Sequence, residues 1–246
     1  KYTHELVPVL ENETDFYQEN IHILDKIMRK HSKLINREGS IDHLLTYLIE
    51  KEMCPAIFFI FSRKRCEKYA RKINKIFNTS QEQAEVEKII KHQIHKLDNP
   101  ENYLQMREFM NLKQLLVKGI AYHHSGLVPV FKEIIEILFA KNLIKVLMAT
   151  ETFAVGINMP TKTVVFTALD KFESANNNRW LRTDEYLQMA GRAGRRGMDK
   201  VGYVIFLPNL GDVPQVSEMR EMMMGKPRSV RSKFTLNYQF LLKAIL

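Results

Sequence analysis

Three glycines and three arginines crowd into Gly191-Arg192-Ala193-Gly194-Arg195-Arg196-Gly197, directly behind Gln188. Glycine admits positive φ and close backbone approach. Guanidinium groups three residues apart on a turn can converge on one phosphate through forked hydrogen bonds. Taken alone, the run is equally consistent with a solvated basic turn. Upstream, Ala149-Thr150-Glu151-Thr152-Phe153-Ala154-Val155-Gly156-Ile157-Asn158-Met159-Pro160 sets two hydroxyls and a carboxylate ahead of a Gly-x-Asn turn. Hydroxyls beside exposed backbone N–H groups suit a sugar–phosphate backbone, and each also serves as a local cap. Glu151 has the chemistry of a general base, but no metal ligands stand beside it, and a structural or linking role fits it better. In Ile120-Ala121-Tyr122-His123-His124-Ser125-Gly126-Leu127 the paired histidines lack a third and fourth ligand at zinc spacing, so no metal is expected. Ser62-Arg63-Lys64-Arg65 is a fourth polar loop.

Each of these loops is tied to a short apolar run that must hold it. Ala56–Phe61 is continuously apolar and stops at Ser62, the pattern of a strand buried on both faces. Similar runs recur at Gly119–His123, Lys145–Ala149, Thr163–Ala168 and Tyr203–Leu207. Between them the period turns helical. Arg63–Phe77 carries Cys66, Tyr69, Ala70, Ile73, Ile76 and Phe77 on one face and Lys64, Arg65, Lys68, Arg71, Lys72 and Lys75 mostly on the other. That basic face is either a solvated helix surface or a phosphate-facing one. Pro129 introduces a second pattern with Phe131, Ile134, Ile135, Leu138 and Phe139. Strand alternating with helix predicts an α/β domain with a mostly parallel sheet covered on both faces. In such sheets ligands gather at the carboxyl ends of the strands, where the polar loops fall.

Outside this frame, Asn78–Lys118 reads as an inserted helical pair, with Val86, Ile89, Ile90, Ile94 and Leu97 on the first helix and Met106, Phe109 and Met110 on the second. Ser40 can cap a helix bearing Ile41, Leu44, Leu45 and Leu48, Glu11–Glu38 is charged and weakly patterned, and Lys1–Leu10 reads as an entering strand or linker. The methionines, Met222-Met223-Met224 among them, are read as packing. The expected organisation is leading elements over 1–55, the α/β domain over 56–210 and a connector over 211–246, with Phe234–Leu246 opening a further domain. At 246 residues, one large domain with attached pieces is the natural size.

Cys54 and Cys66 are too few for a disulfide framework, so an intracellular, reducing compartment is expected. The start Lys1–Leu10 resembles no signal peptide, and no apolar run approaches the roughly 18 residues of a membrane span. A formal net charge of +9 favours polyanionic partners.

Together, FSRKRCE (61–67), AYHHSGL (121–127), ATETFAVGINMP (149–160) and QMAGRAGRRGMD (188–199) resemble motifs IV, IVa, V and VI of superfamily-2 helicases. More narrowly, ATETF with the Gly-x-Asn-Met-Pro turn, and Glu185-Tyr186-Leu187-Gln188 leading into GRAGRRG, resemble the Superkiller-type DExH-box RNA helicases that feed the RNA exosome. The similarity covers roughly Ala56 to Leu207.

The resemblance implies a second RecA-like domain, with Phe234–Leu246 similar to the start of a winged-helix domain. It implies ATP held between this domain and a preceding RecA-like domain in the same polypeptide. Here Gln188 would face the γ-phosphate, Arg192 and Arg195 would act as phosphate ligands and arginine finger, and Gly156, Asn158, Gly191 and Gly194 would line the nucleotide. Single-stranded RNA, or a duplex with a 3′ overhang, would be tracked 3′ to 5′ by Ser62, His124, Gly126, Thr150 and Thr152. No GxxxxGK[ST] loop and no DExH box occurs in the sequence. The phosphate loop and the Mg²⁺ ligands are therefore expected on the preceding domain, and this chain alone is expected to be inactive. An RNA-decay complex is the partner class implied. Two readings stay open beside this one: a non-catalytic nucleic-acid-binding or docking module of helicase ancestry, and a DNA helicase of the same superfamily.

Overall fold

The apolar runs do become the centre of the molecule, each as a four-residue strand shorter than the run that predicted it. The computed structural model describes residues 6–31, 39–156, 159–174, 177–208 and 210–226. The chain enters through a two-residue ladder, β1 (Leu10–Glu11) against β2 (Asp15–Phe16), then α1 (Gln18–His31) and α2 (Gly39–Glu50). Strand β3 (Ala56–Phe59) leads into α3 (Arg63–Lys72), and α4 (Ser80–Ile94), α5 (Pro100–Leu104) and α6 (Arg107–Val117) follow. Then β4 (Ile120–His123), α7 (Pro129–Ala140), β5 (Val146–Ala149), the short α8 (Thr152–Gly156) and β6 (Thr163–Phe166) alternate. A hairpin, β7 (Asp170–Ser174) and β8 (Asn177–Trp180), precedes α9 (Thr183–Ala190), β9 (Tyr203–Phe206) and α10 (Val216–Met224).

The five long-range strands form one sheet in the order β4-β5-β3-β6-β9, and every pairing is parallel. Right-handed crossovers put α3 on one face and α7, α8 and α9 on the other, because the chain moves in opposite directions along the sheet in the two cases. Side chains confirm it: Cys66 of α3 is buried beneath the first face, while Phe153 of α8 and Tyr186 of α9 pack on the second, Tyr186 stacked on Phe166 with centroids 5.2 Å apart. All sixteen residues of β3, β4, β5 and β6 are buried, as a sheet covered on both sides requires. Buried threonines stitch β6 to its neighbour, Thr161, Thr163 and Thr167 donating to the carbonyls of Pro55, Met53 and Phe59.

Several expectations change. Helix α3 stops at Lys72, not Phe77, because the following chain is claimed by other partners: the Phe77 amide donates to the Lys118 carbonyl and the Asn78 side chain to those of Val117 and Leu143. Ile76, expected in the core, is exposed. The insertion holds three helices rather than two, and α6 buries Phe109, Leu112, Leu115 and Leu116 while Met110 faces out. Phe109 stacks on Phe131 of α7 at 5.1 Å, so the insertion wraps the β4 edge and shares the main core. Ser40 sits inside the first turn of α2, whose expected face of Ile41, Leu44, Leu45 and Leu48 is buried in that same core. The core thus extends ahead of residue 56. Strand β9 is an edge strand with Tyr203 and Val204 exposed. Helix α1, in the weakly patterned segment, is anchored by Ile21, and the hairpin and α10 were not expected. Phe234–Leu246 lies outside the described residues. Among the described residues, no helix is long and apolar enough to cross a membrane.

Candidate functional site

Because β4, β5 and β3 are adjacent and parallel, the loops after His123, Ala149 and Phe59 emerge side by side at one edge. Ser62 is half-buried and caps α3, its hydroxyl accepting from the Arg65 amide. The Thr150 amide donates to the His123 carbonyl and the Ile60 amide to that of Ala149, joining the three loops through backbone. Thr150 is buried and Thr152 exposed, and their hydroxyls are 2.9 Å apart.

The paired histidines point to opposite faces, as consecutive residues leaving a strand must. His123 meets Glu136 of α7 at 3.1 Å, and His124 meets Glu67 of α3 at 3.2 Å. Two imidazoles separated by the sheet cannot share an ion. The Gly126 amide donates to Nδ1 of His124, which fixes the proton on Nε2 and aims it at Glu67. His124 is therefore buried with both ring nitrogens engaged. It organises the loop, while Ser125 and Gly126 are the exposed positions. Burial pushes His123 below its ordinary titration range, and the Glu136 carboxylate only partly offsets this.

The glycine-arginine loop lies at the far end of α9. Arg192 donates through Nη2 to the Ala154 carbonyl of α8, and its own carbonyl accepts from the Thr161 amide, while the Gly194 amide donates to the Thr161 carbonyl. Gly194 has φ +87°, and a side chain on Gly202 would meet the Ala193 and Gly194 backbone at 2.6 Å. These two glycines let the loop fold against the entry to β9, a need internal to the protein. Arg195 is held by Asp199 through Nε and Nη2 at 2.8 and 2.9 Å, and the Arg195 amide donates to the same carboxylate. Hydrogen bonding to Arg195 keeps the Asp199 carboxyl below the usual carboxylate range. Among the described residues, Nη1 of the guanidinium has no hydrogen-bond partner. Gln188 and Gly191 are exposed and Gly194 is half-buried. Gly156 closes α8, and Asn158 lies outside the described residues.

Between the two loop sets runs a chain of charges. Lys171 of β7 is 2.8 Å from Glu151 and 2.7 Å from Glu185. Arg179 of β8 grips both oxygens of Glu185 at 2.7 and 2.8 Å, and the Arg182 amide donates to the same carboxylate. Burial alone would raise the Glu185 carboxyl, but these donors outweigh it and hold it well below its ordinary range. Glu151 thus takes the linking role expected of it. Glu67, Asp199, Lys171 and Arg179 were not anticipated as site residues. The i,i+4 spacing of Asp199 to Arg195 was the one local signal available.

Among the described residues no three His, Cys, Asp or Glu side chains gather as a metal site. The acidic groups near the loops, Glu151, Glu185 and Asp199, are each occupied by a cation. They do not fit a Mg²⁺ site.

A family model of the helicase conserved C-terminal domain matches residues 39–197. The chain belongs to this family. Its relatives include the DExH-box ATP-dependent RNA helicase DExH10 of Arabidopsis thaliana, 41% identical over 85% of this chain and 20% of that protein. The human Superkiller complex protein 2 is 41% identical over 82% of this chain and 16% of that protein, and the human exosome RNA helicase MTR4 is 37% identical over 96% and 23%. The chain therefore spans about a fifth of the length of these relatives. The match confirms the expected helicase kinship and the RecA-like α/β sheet.

Proposed function

We propose that this helicase C-terminal domain is the second half of an ATP-driven RNA motor. It completes a nucleotide site whose phosphate loop and Mg²⁺ ligands belong to another RecA-like domain, and it holds RNA across the carboxyl edge of its sheet. The observation that carries this reading is the preorganised Arg195. Its guanidinium is fixed by Asp199 at two nitrogens with the third left for an incoming phosphate, and Gln188 stands exposed at the last turn of the preceding helix. A fixed guanidinium stabilises charge developing on a transferred phosphoryl group without reorganising during the reaction.

In this scheme ATP is the substrate. Arg195 acts as arginine finger and Arg192 and Gln188 as γ-phosphate contacts, with Gly156, Asn158, Gly191 and Gly194 bordering the nucleotide. Ser62, Gly126, Thr150 and Thr152 contact sugar and phosphate, with His124 holding Gly126 in place, and such contacts grip a strand without reading its bases. Closure on ATP and reopening after hydrolysis would move the grip along the strand. An RNA-decay complex as partner is the form of this activity that the kinship with Superkiller complex protein 2 and the exosome RNA helicase MTR4 supports, and the 3′ to 5′ direction is what the motif resemblance implies.

The test is RNA-stimulated ATP hydrolysis by the full-length protein. Arg195→Ala is expected to lower the rate on the order of 10³-fold or more, and this chain by itself to hydrolyse none. An Arg195→Ala protein with parental turnover overturns the finger assignment. A full-length protein inactive with both RNA and DNA supports a docking module instead, and stimulation by single-stranded DNA alone supports a DNA helicase.

A further inference from the structure

Lys171 occupies an unusual position for a hairpin lysine. Its ammonium touches two carboxylates from separate parts of the chain, and only 18% of its side chain is exposed. One is Glu151, flanked by Thr150 and Thr152 in the loop assigned to RNA. The other is Glu185, in the first turn of α9, whose last turn carries Gln188 and leads into the arginine loop. Glu185 and Gln188 are three positions apart and share a helix face. We infer that Lys171 is a positioning residue that couples the RNA-facing loop to the nucleotide-facing helix, an inference that rests on the function proposed above.

The link is unequal at its two ends, and that inequality makes it useful. Glu185 is a fixed post, 17% exposed and held by both terminal nitrogens of Arg179 and by the Arg182 amide as well as by Lys171. Glu151 is 42% exposed and meets Lys171 through a single oxygen. A shift of the Thr150–Thr152 loop on binding a strand therefore loads or releases the Glu151 end first, and the ammonium redistributes toward Glu185. That charge change lands one helical turn from Gln188. Where Lys171 carries no charge, the two carboxylates face each other without a shared cation, and the state of the RNA loop no longer biases α9. Removing Lys171 should thus uncouple the two sites while leaving each intact.

The experiment uses the full-length protein and a single-stranded oligouridine RNA, reading ATP hydrolysis with and without RNA. For Lys171→Met, the rate without RNA is expected within about twofold of the parent. The factor by which saturating RNA accelerates hydrolysis should fall about 5-fold or more, and Lys171→Arg should restore most of it. Glu151→Gln removes the charge at the solvent-side end of the link, leaving only a neutral acceptor for Lys171, without altering the hairpin, and is expected to reproduce most of the loss. The double variant should be no worse than Lys171→Met alone, since that variant already removes the contact to Glu151. Parental stimulation in Lys171→Met or Glu151→Gln overturns the coupling. So does an equal drop in the rates with and without RNA, which marks a merely structural lysine. A parent that hydrolyses ATP without any RNA stimulation is a different failure, seen before any variant is made. It removes the proposed function, and the inference falls with it.

Discussion

The carboxyl edge of the sheet and the segment from β7 to Asp199 are held together by different forces. At the edge, Ser62, His124 and Thr150 leave strands with no exposed residue, and their contacts are backbone hydrogen bonds, a helix cap and an imidazole set between an amide and a carboxylate. In the second segment β7 and β8 form their own two-stranded sheet, Phe172 is exposed, and Lys171, Arg179 and Arg195 paired with Glu151, Glu173, Glu185 and Asp199 do the holding. Burial positions the first set rigidly. Charge positions the second, where the enclosed Arg195–Asp199 and Arg179–Glu185 pairs are fixed and only the half-exposed ends, Glu151 and Glu173, rearrange cheaply. On the function proposed above, a domain that grips RNA while responding to ATP has reason to build its two sides differently.

The largest effect should come from the buried side. Phe153 has no exposed surface and packs edge-on against His123 and Phe139, with centroids 4.9 and 6.1 Å away. Phe153→Ala should cost about 3–5 kcal/mol, read as a lower urea midpoint with the slope unchanged, and the loss should not depend on salt. Next, Asp199→Ala leaves the half-buried Arg195 guanidinium without its partner. About 1–3 kcal/mol of local stability should go, and ATP hydrolysis by the full-length protein should fall more than RNA affinity does. A Phe153→Ala loss that grows with salt, or an Asp199→Ala loss that leaves turnover at the parental value, would dissolve the contrast. Smaller still is Glu67→Gln, which keeps a hydrogen bond to His124 but removes the carboxylate charge. About 1 kcal/mol is expected, with weaker RNA binding and unaltered ATP affinity.

This contrast also decides how much could be seen in the sequence. Runs such as Ala56–Phe61 and Lys145–Ala149 are legible because a strand buried on both faces favours apolar residues, and the helix faces of Phe131–Phe139 and Ile41–Leu48 follow from their period. The glycine-arginine loop is legible from residue types alone. The partners of those residues are not. Nothing local tells that Glu67 reaches His124 across 57 positions, or that Lys171 would stand between Glu151 and Glu185. The hairpin carries no apolar alternation for a period to reveal. Helix α3 misleads for a related reason: its apolar spacing continues to Phe77, while long-range bonds to Lys118, Val117 and Leu143 pull the chain out of the helix. His124 shows a further limit: a loop-motif residue expected to contact RNA is buried with both ring nitrogens engaged within the protein, which the motif does not reveal.

Acid should separate the two regions by the pH at which each yields. His123 titrates below its ordinary value of 6.5 because burial disfavours the imidazolium, so the unfolded chain takes up protons first and stability falls as the pH drops through about 6.5. The carboxyls of Glu185 and Asp199 lie below their ordinary values of 4.5 and 3.8. What they contribute is complete above those values and is lost only as the pH falls through them toward the lower native ones. Two steps are expected in a plot of urea midpoint against pH. The first, a loss of stability as the pH falls through about 6.5, should vanish in His123→Gln and persist at high salt. The second, below about pH 4, should persist in His123→Gln and shrink in Asp199→Asn. A single step common to the parent and both variants would mean that the buried edge and the charged segment give way together, and that neither is held by a force the other lacks.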